Sequence, residues 1–324
     1  MININKNNLK KILYKMMLIR ETDLQISKRY SEDKMRCPTH LSVGQECVPS
    51  VIGTFTTKKD LCVGSHRSHA HYLGKGGSLK KFISELYGKL TGCSKGRGGS
   101  MHLTDLSVGF VGSTAIVSNT IPVGVGLSLT SNILKKKQTV IIYLGDASVE
   151  EGVFFESLNF AIVKKIPVIF VCENNFYSVY SPLSVRQPPN RKIYKMVRGF
   201  NIKSFKANGN MFKDVVQTFL KAKKFVEEKK MPIFLEFQTY RWYEHCGPNI
   251  DDHLNYRNKK ELLYWKKNDP VNILQDFLIK KKLISTNSIS IMKNLILRKI
   301  DSAFKYAERS PFPKNKDLFK YLYK

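Results

Sequence analysis

Three short, almost wholly apolar runs constrain this chain most: Thr139–Leu144, Pro167–Cys172 and Ile233–Thr239, each preceded by a helical stretch. The helices read as Asn119–Leu134, Val149–Lys164 and Phe212–Lys230. Strands this apolar are covered on both faces, and strands that alternate with helices pair in parallel. The chain is therefore expected to be α/β, a parallel sheet flanked by helices. From Lys259 onward it reads as helical, with Asp269-Pro270 opening one helix and Ser288–Glu308 forming another; Arg309–Lys314 starts a short tail. No internal repeat is visible. One domain spanning 1–324 is expected: N-terminal helices and Gly/His-rich loops over 9–112, an α/β core over 113–258 and a helical C-terminal part over 259–324.

At the N-terminal end, Leu9, Ile12, Leu13, Met16, Met17, Leu24 and Ile26 fall mostly three or four apart, predicting a helix from Leu9 to about Lys34. A second helix is expected to start at Ser42, with Gln45 reaching back as in a capping box. Met1–Asn8 is too short and polar for a secretory signal. No apolar run approaches the roughly 20 residues that a membrane span needs, so no membrane segment is expected. The net charge of +28 arises from lysines in pairs and triplets along the whole chain, such as Lys135–Lys137 and Lys280–Lys282. Spread charge reads as solvated surface rather than a nucleic-acid patch, and an acidic protein partner suits it better. Six cysteines occur without C-x-x-C or zinc-ligand spacing, as expected for reduced thiols in the cytoplasm of a bacterium-like cell.

Between Gly64 and Gly112 the chain is rich in glycine and histidine: His66, Arg67, His69 and His71, then Gly74-Lys75-Gly76-Gly77, then Ser94 to His102. This predicts ordered loops whose backbone approaches something closely. In open α/β sheets ligands collect beyond the carboxyl ends of the strands. The first strand runs into Gly145-Asp146-Ala147-Ser148 and the second into Glu173-Asn174-Asn175-Phe176-Tyr177, with twenty-six residues between Ala147 and Asn174. Gly124-x-Gly126 lacks the third glycine of a dinucleotide fingerprint and is read as helix close-packing. Cys246 has no evident base and is read as an inert thiol.

The Gly-Asp and Asn-Asn pair at that spacing resembles the thiamine-diphosphate motif. The segments His40 to Glu46, Ser94 to His102, Gly112 to Leu127, Gly145 to Asn175 and Thr239-Tyr240-Arg241 resemble, in order and over nearly the whole chain, the α subunit of the decarboxylating component of 2-oxo-acid dehydrogenase complexes. Pyruvate, branched-chain 2-oxo-acid and acetoin dehydrogenases are branches of that family. The resemblance implies a thiamine-diphosphate-binding fold, thiamine diphosphate and Mg2+ as cofactors, and a β subunit that supplies the activating glutamate in an α2β2 heterotetramer. It also implies a 2-oxo acid as substrate and acyl transfer to a lipoyl acyltransferase. By the same resemblance Asp146, the Asn175 side chain and the Tyr177 carbonyl hold the metal, and the helix start after Gly145, Asp146, Ala147 and Ser148 receives the diphosphate. Arg67 and His66 bind the diphosphate, Ala115 and Val117 meet the aminopyrimidine, and His69 and His245 are the catalytic histidines. His66 stands where the family has tyrosine, Tyr243 where it has the first of two histidines, Ala115 and Ala147 where it has glycines, and the regulatory serine is absent. These departures leave open an acetoin dehydrogenase or a carboligase that passes the acyl carbanion to another carbonyl compound such as a keto-sugar. A non-catalytic binding module on the same fold is the other alternative.

Overall fold

The computed structural model describes residues 4–35, 37–317 and 319–320, so the Met1–Asn3 part of the leader reading lies outside the described residues. Its strands are β1 (Leu61–Gly64), β2 (Phe110–Ser113), β3 (Val140–Gly145), β4 (Val168–Asn174), the two-residue arms β5 (Tyr177–Ser178) and β6 (Ser181–Pro182), β7 (Lys203–Asn208) and β8 (Ile233–Gln238). Six of them form one sheet in the order β2-β1-β3-β4-β8-β7, and every neighbouring pair is parallel. The arms β5 and β6 make a separate antiparallel hairpin.

Side chains alternate across the sheet as the pleat requires. Ile141, Tyr143, Ile169, Val171 and Leu235 join a core with the N-terminal helix Lys6–Arg29 and the C-terminal helix Thr286–Arg309. Val140, Ile142, Val168, Phe170 and Phe234 join a second core with the helices Thr120–Ile133 and Gly152–Val163. The sheet thus has helices on both faces, and its first core draws on all three stretches distinguished in the sequence. No helix among the described residues is long and apolar enough to cross a membrane.

The strand order reverses between β1 and β3: the chain leaves β1 for β2 on one side and returns to β3 on the other. That is a topological switch point, where loops diverge and leave a crevice. β3 and β4 are neighbours in a register that pairs Gly145 with Glu173, so the two motif-bearing ends lie side by side.

Local differences from the sequence reading have identifiable causes. The first helix starts earlier, capped by the Asn5 side chain, and ends at Arg29. Ser42 caps nothing: its N–H donates to Asp23, the next helix is Cys47–Thr54, and Gln45 turns away to donate to Thr239. Strand β1 runs into the Gly/His-rich stretch, helices His69–Lys75 and Leu79–Leu86 lie within it and β2 closes it, all too short for a clear period. What the glycine loop approaches is a carboxylate of its own chain: buried Glu85 accepts N–H groups from Ser94, Gly96, Gly98 and Gly99. After β3 a five-residue 3-10 turn, Asp146–Glu150, intervenes, and the α-helix begins only at Gly152.

Gly124 lies against the sheet, where a Cβ would sit 2.4 Å from Ile142 Cγ1, whereas a Cβ on Gly126 meets nothing within 4 Å. Close packing therefore explains the first glycine and not the second. Gly124→Ala is predicted to destabilise by about 1–3 kcal/mol through overpacking, and Gly126→Ala to stabilise by up to about 1 kcal/mol through helix propensity, both read from denaturant midpoints.

Candidate active site

A cavity of about 200 Å³ opens at the carboxyl ends of β1, β3 and β4. His66 and Arg67 reach it from the turn after β1, Ala115 and Val117 from the segment before helix Thr120–Ile133. Gly145, Asp146, Ala147 and Ser148 follow β3, Asn175 and Tyr177 follow β4, and His245 comes from the loop after β8. Neither Ala115 nor Ala147 has a positive φ, so each methyl group fits its backbone. His40, Gln45, His71, Met101 and Glu173 also line the cavity, although the sequence reading assigned them no role in the site. His40 and Gln45 belong to a segment quoted only for its resemblance; their separation from the strand ends in sequence hid their place.

His69 is not among the lining residues. It is fully buried, with Nδ1 2.7 Å from Asp23 Oδ1 and Nε2 2.6 Å from Ser100 Oγ. Both ring nitrogens are committed, and the same Asp23 takes the Ser42 N–H. The geometry makes His69 a clamp between the loops that carry His40 and Met101, with no surface of its own in the cavity.

The electrostatics of the cavity are dominated by Arg67. It is buried, and its guanidinium donates only to the carbonyls of Leu41 (2.6 Å) and His245 (2.9 Å). Among the described residues no carboxylate lies within ion-pair distance of it. Burial, and then the neighbouring Arg241, lower its pKa to about 9. His40, His66 and His245 gather beside it with ring centroids 4.8–5.2 Å apart, and none of the three rings has a hydrogen-bond partner among the described residues. Burial first and Arg67 second lower His66 to about 4 and His245 to about 3, and push His40 down in the same direction. The ligand nitrogens of these histidines lie within 4.8 Å of one another, a spacing open to a metal ion. The guanidinium beside them decides otherwise: an added cation would be repelled, whereas an anion would answer an unpaired buried charge and draw hydrogen bonds from all four groups.

The opposite wall carries the oxygen donors. Asp146 is buried, and burial pushes its carboxyl above the ordinary range despite the adjoining Arg186. Asn175 N–H reaches Asp146 Oδ1 at 3.4 Å, while the Asn175 amide oxygen accepts the Tyr177 N–H and its Nδ2 faces Gln45. A carboxylate, an amide oxygen and a main-chain carbonyl are the donor set of a hard divalent cation, and the guanidinium of Arg186 against Asp146 marks this as a place for positive charge. These oxygen acceptors and the buried basic group line one cavity. Below them His71 Nε2 meets Glu173 Oε2 at 2.5 Å and stacks on Tyr143.

The depressed histidines make a pH prediction. Below its ordinary pKa of 6.5 the unfolded chain protonates His66, while the folded chain resists until about pH 4. The unfolded state binds more protons in that window, so stability falls as pH falls through it. His66→Tyr, which removes the titrating group, should flatten this acid limb in thermal melts run at successive pH values.

Comparison with known proteins identifies the family. The family model described as "Dehydrogenase E1 component" matches residues 14–316. The chain is 32% identical over 308 residues to the pyruvate dehydrogenase E1 component subunit alpha of Rickettsia bellii, covering 95% of this chain and 93% of that protein. It is 32% identical to the mitochondrial subunit of Pisum sativum, over 95% of this chain and 76% of that one. For the mitochondrial subunit of Schizosaccharomyces pombe the identity is 33%, over 96% and 75%. A match running from the first helix to the C-terminal tail, together with an α/β sheet whose switch point holds the motif residues, places this chain in the dehydrogenase E1 component family.

Proposed function

We propose that this chain is the α subunit of a thiamine-diphosphate-dependent 2-oxo-acid dehydrogenase of the pyruvate type. Its cavity takes the diphosphate end of the cofactor, and the acyl group passes to lipoamide. The observation that carries this reading is the buried guanidinium of Arg67, which among the described residues has no carboxylate within ion-pair distance and lies beside three imidazoles without a hydrogen-bond partner.

When bound, thiamine diphosphate supplies the nucleophile and electron sink for decarboxylation. The protein's own groups bind and orient. Arg67 and His66 hold the diphosphate; Asp146, the Asn175 side-chain oxygen and the Tyr177 carbonyl would hold Mg2+. The backbone at Ala115 and Val117 receives the aminopyrimidine. His245, which burial and then Arg67 lower to about 3, is neutral at pH 7 and offers a ring N–H and a lone pair to the reacting group.

The site reads as one half of a shared one. Val117, which lines the cavity, is 39% exposed and its neighbour Ile116 66%, and Val123, Phe160 and Val163 are exposed on the helices Thr120–Ile133 and Gly152–Val163. A β subunit covering that surface, in an α2β2 heterotetramer that docks a lipoyl acyltransferase, fits both the exposed apolar area and the need for a second wall. The cytoplasm is the compartment this reading implies, and six unpaired cysteines accord with it.

A second reading has its own support at Tyr243. Where the family pattern has a histidine, this side chain packs against the first core and lies outside the cavity lining. An acetoin dehydrogenase or a carboligase that hands the acyl group to another carbonyl compound accommodates that loss.

The test uses the chain co-expressed with its β subunit. Thiamine diphosphate with Mg2+ at a hundredfold excess over Kd is expected to raise stability by about 2.7 kcal/mol, and Asp146→Ala to abolish the cation-dependent part. The complex should release carbon dioxide from pyruvate, and the isolated chain should not. Release coupled to lipoamide supports the first reading, release coupled only to an added aldehyde or ketone the second, and no thermal shift contradicts both.

A further inference from the structure

Asp146 is not free to receive a cation. Arg186, only 11% exposed at its side chain, spans the mouth of the metal wall: Nη2 pairs with Asp146 Oδ2, Nη1 lies 2.5 Å from Glu150 Oε1, and Nε donates to the Ser181 carbonyl at 3.1 Å. Gln187 donates to the same Glu150 oxygen at 2.7 Å, which fastens the adjoining residue to the 3-10 turn after β3. Arg186 is the only ion-pair partner of Asp146 among the described residues. The other carboxylate oxygen already faces the Asn175 N–H, so the oxygen with room for a cation is the one the guanidinium holds.

The segment that delivers Arg186 is short and strained. It leaves β4 through Phe176 and Val179, both at positive φ (71° and 51°), and closes with the four-residue helical turn Leu183–Arg186. A β-branched residue in the left-handed region persists only when its surroundings hold it there. The Val179 carbonyl is held by Arg241, and Val179 itself lines the cavity. The hairpin is thus pinned at one end by Arg241 and at the other by the Arg186 fork.

We infer that Arg186 is a built-in competitor for the divalent cation of this site: the ion enters as the guanidinium leaves Asp146, and Arg186 thereby determines how tightly the cation is held. A guanidinium and a dication on one buried carboxylate oxygen repel each other strongly, so the two occupants exclude one another. This inference rests on the reading of Asp146 as a cation ligand.

The experiment uses the chain with its β subunit and Mg2+ alone, followed by thermal denaturation and by hydrogen exchange. Arg186→Gln should lower the half-saturating Mg2+ concentration by about tenfold, the scale of one charge-assisted hydrogen bond removed from the ligand. It should also lower the melting temperature without cation and enlarge the Mg2+-induced rise, because the buried carboxylate then lacks its partner. In the unsubstituted complex Mg2+ should speed amide exchange over residues 183–187, and in Arg186→Gln it should not. Arg186→Lys, which keeps the charge and loses the fork, should fall between the two and serves should the glutamine variant not fold. Equal or weaker Mg2+ affinity in the variants overturns this inference alone. No response to Mg2+ in any of the proteins overturns it together with the cofactor reading.

Discussion

Buried guanidinium groups organise this molecule, and how each is answered separates framework from site. Arg20 from the first helix forks onto Glu46 and Asp269, stacks on Trp242, and so ties together three stretches far apart in sequence. Arg241 and Arg257 share Asp251 in the same way. Each of these guanidinium groups has at least one carboxylate partner, which lowers the cost of removing its charge from water. Arg67 differs: it bridges two backbone carbonyls, of Leu41 and His245, and among the described residues has no carboxylate within ion-pair distance. That difference is what the proposed binding role of Arg67 rests on.

Around that charge the fold places its reactive parts by simple means. Parallel strands bring the ends of β3 and β4 together, and the reversal of strand order between β1 and β3 opens the space above them. The Arg20 fork and the Asp23–His69–Ser100 clamp then hold the 40–46 and 100–102 loops over the opening. The resulting cavity has donors for an anion on one wall and acceptors for a cation on the other. That division of charge supports the proposed reading, in which the basic groups would receive a diphosphate and the acidic and amide oxygens its divalent cation.

Most of the architecture was legible because β3 and β4 are apolar on both faces over most of their length and β8 on one, a pattern with few solutions. The motif residues were legible because strand ends in a parallel sheet converge. What escaped was set by tertiary contact rather than by local pattern. β1 has four residues and β7 begins with a solvent-facing lysine, so neither carries a period. Gln45, in a spacing that mimics a capping box, is drawn instead to Thr239 and Asn175. His69 was assigned to the site by family resemblance alone, and the first turn of helix His69–Lys75 turns its ring into the interior toward Asp23, a placement no local pattern announces. Arg186 lies in a polar stretch without motif or period, and only the fold reveals that it sits on Asp146.

The account stands or falls on the buried positive charge being a waiting anion site. Calorimetric titration of the αβ complex with inorganic pyrophosphate, comparing the unsubstituted protein with Arg67→Met, tests this directly. Stoichiometric binding that weakens by at least about tenfold in the variant is predicted, since hydrogen bonds to charged groups contribute about 1.5–3 kcal/mol; the unliganded variant should melt no lower, having lost an uncompensated charge. Unchanged pyrophosphate affinity in Arg67→Met, or an unliganded variant that unfolds, would show that Arg67 is one more framework arginine.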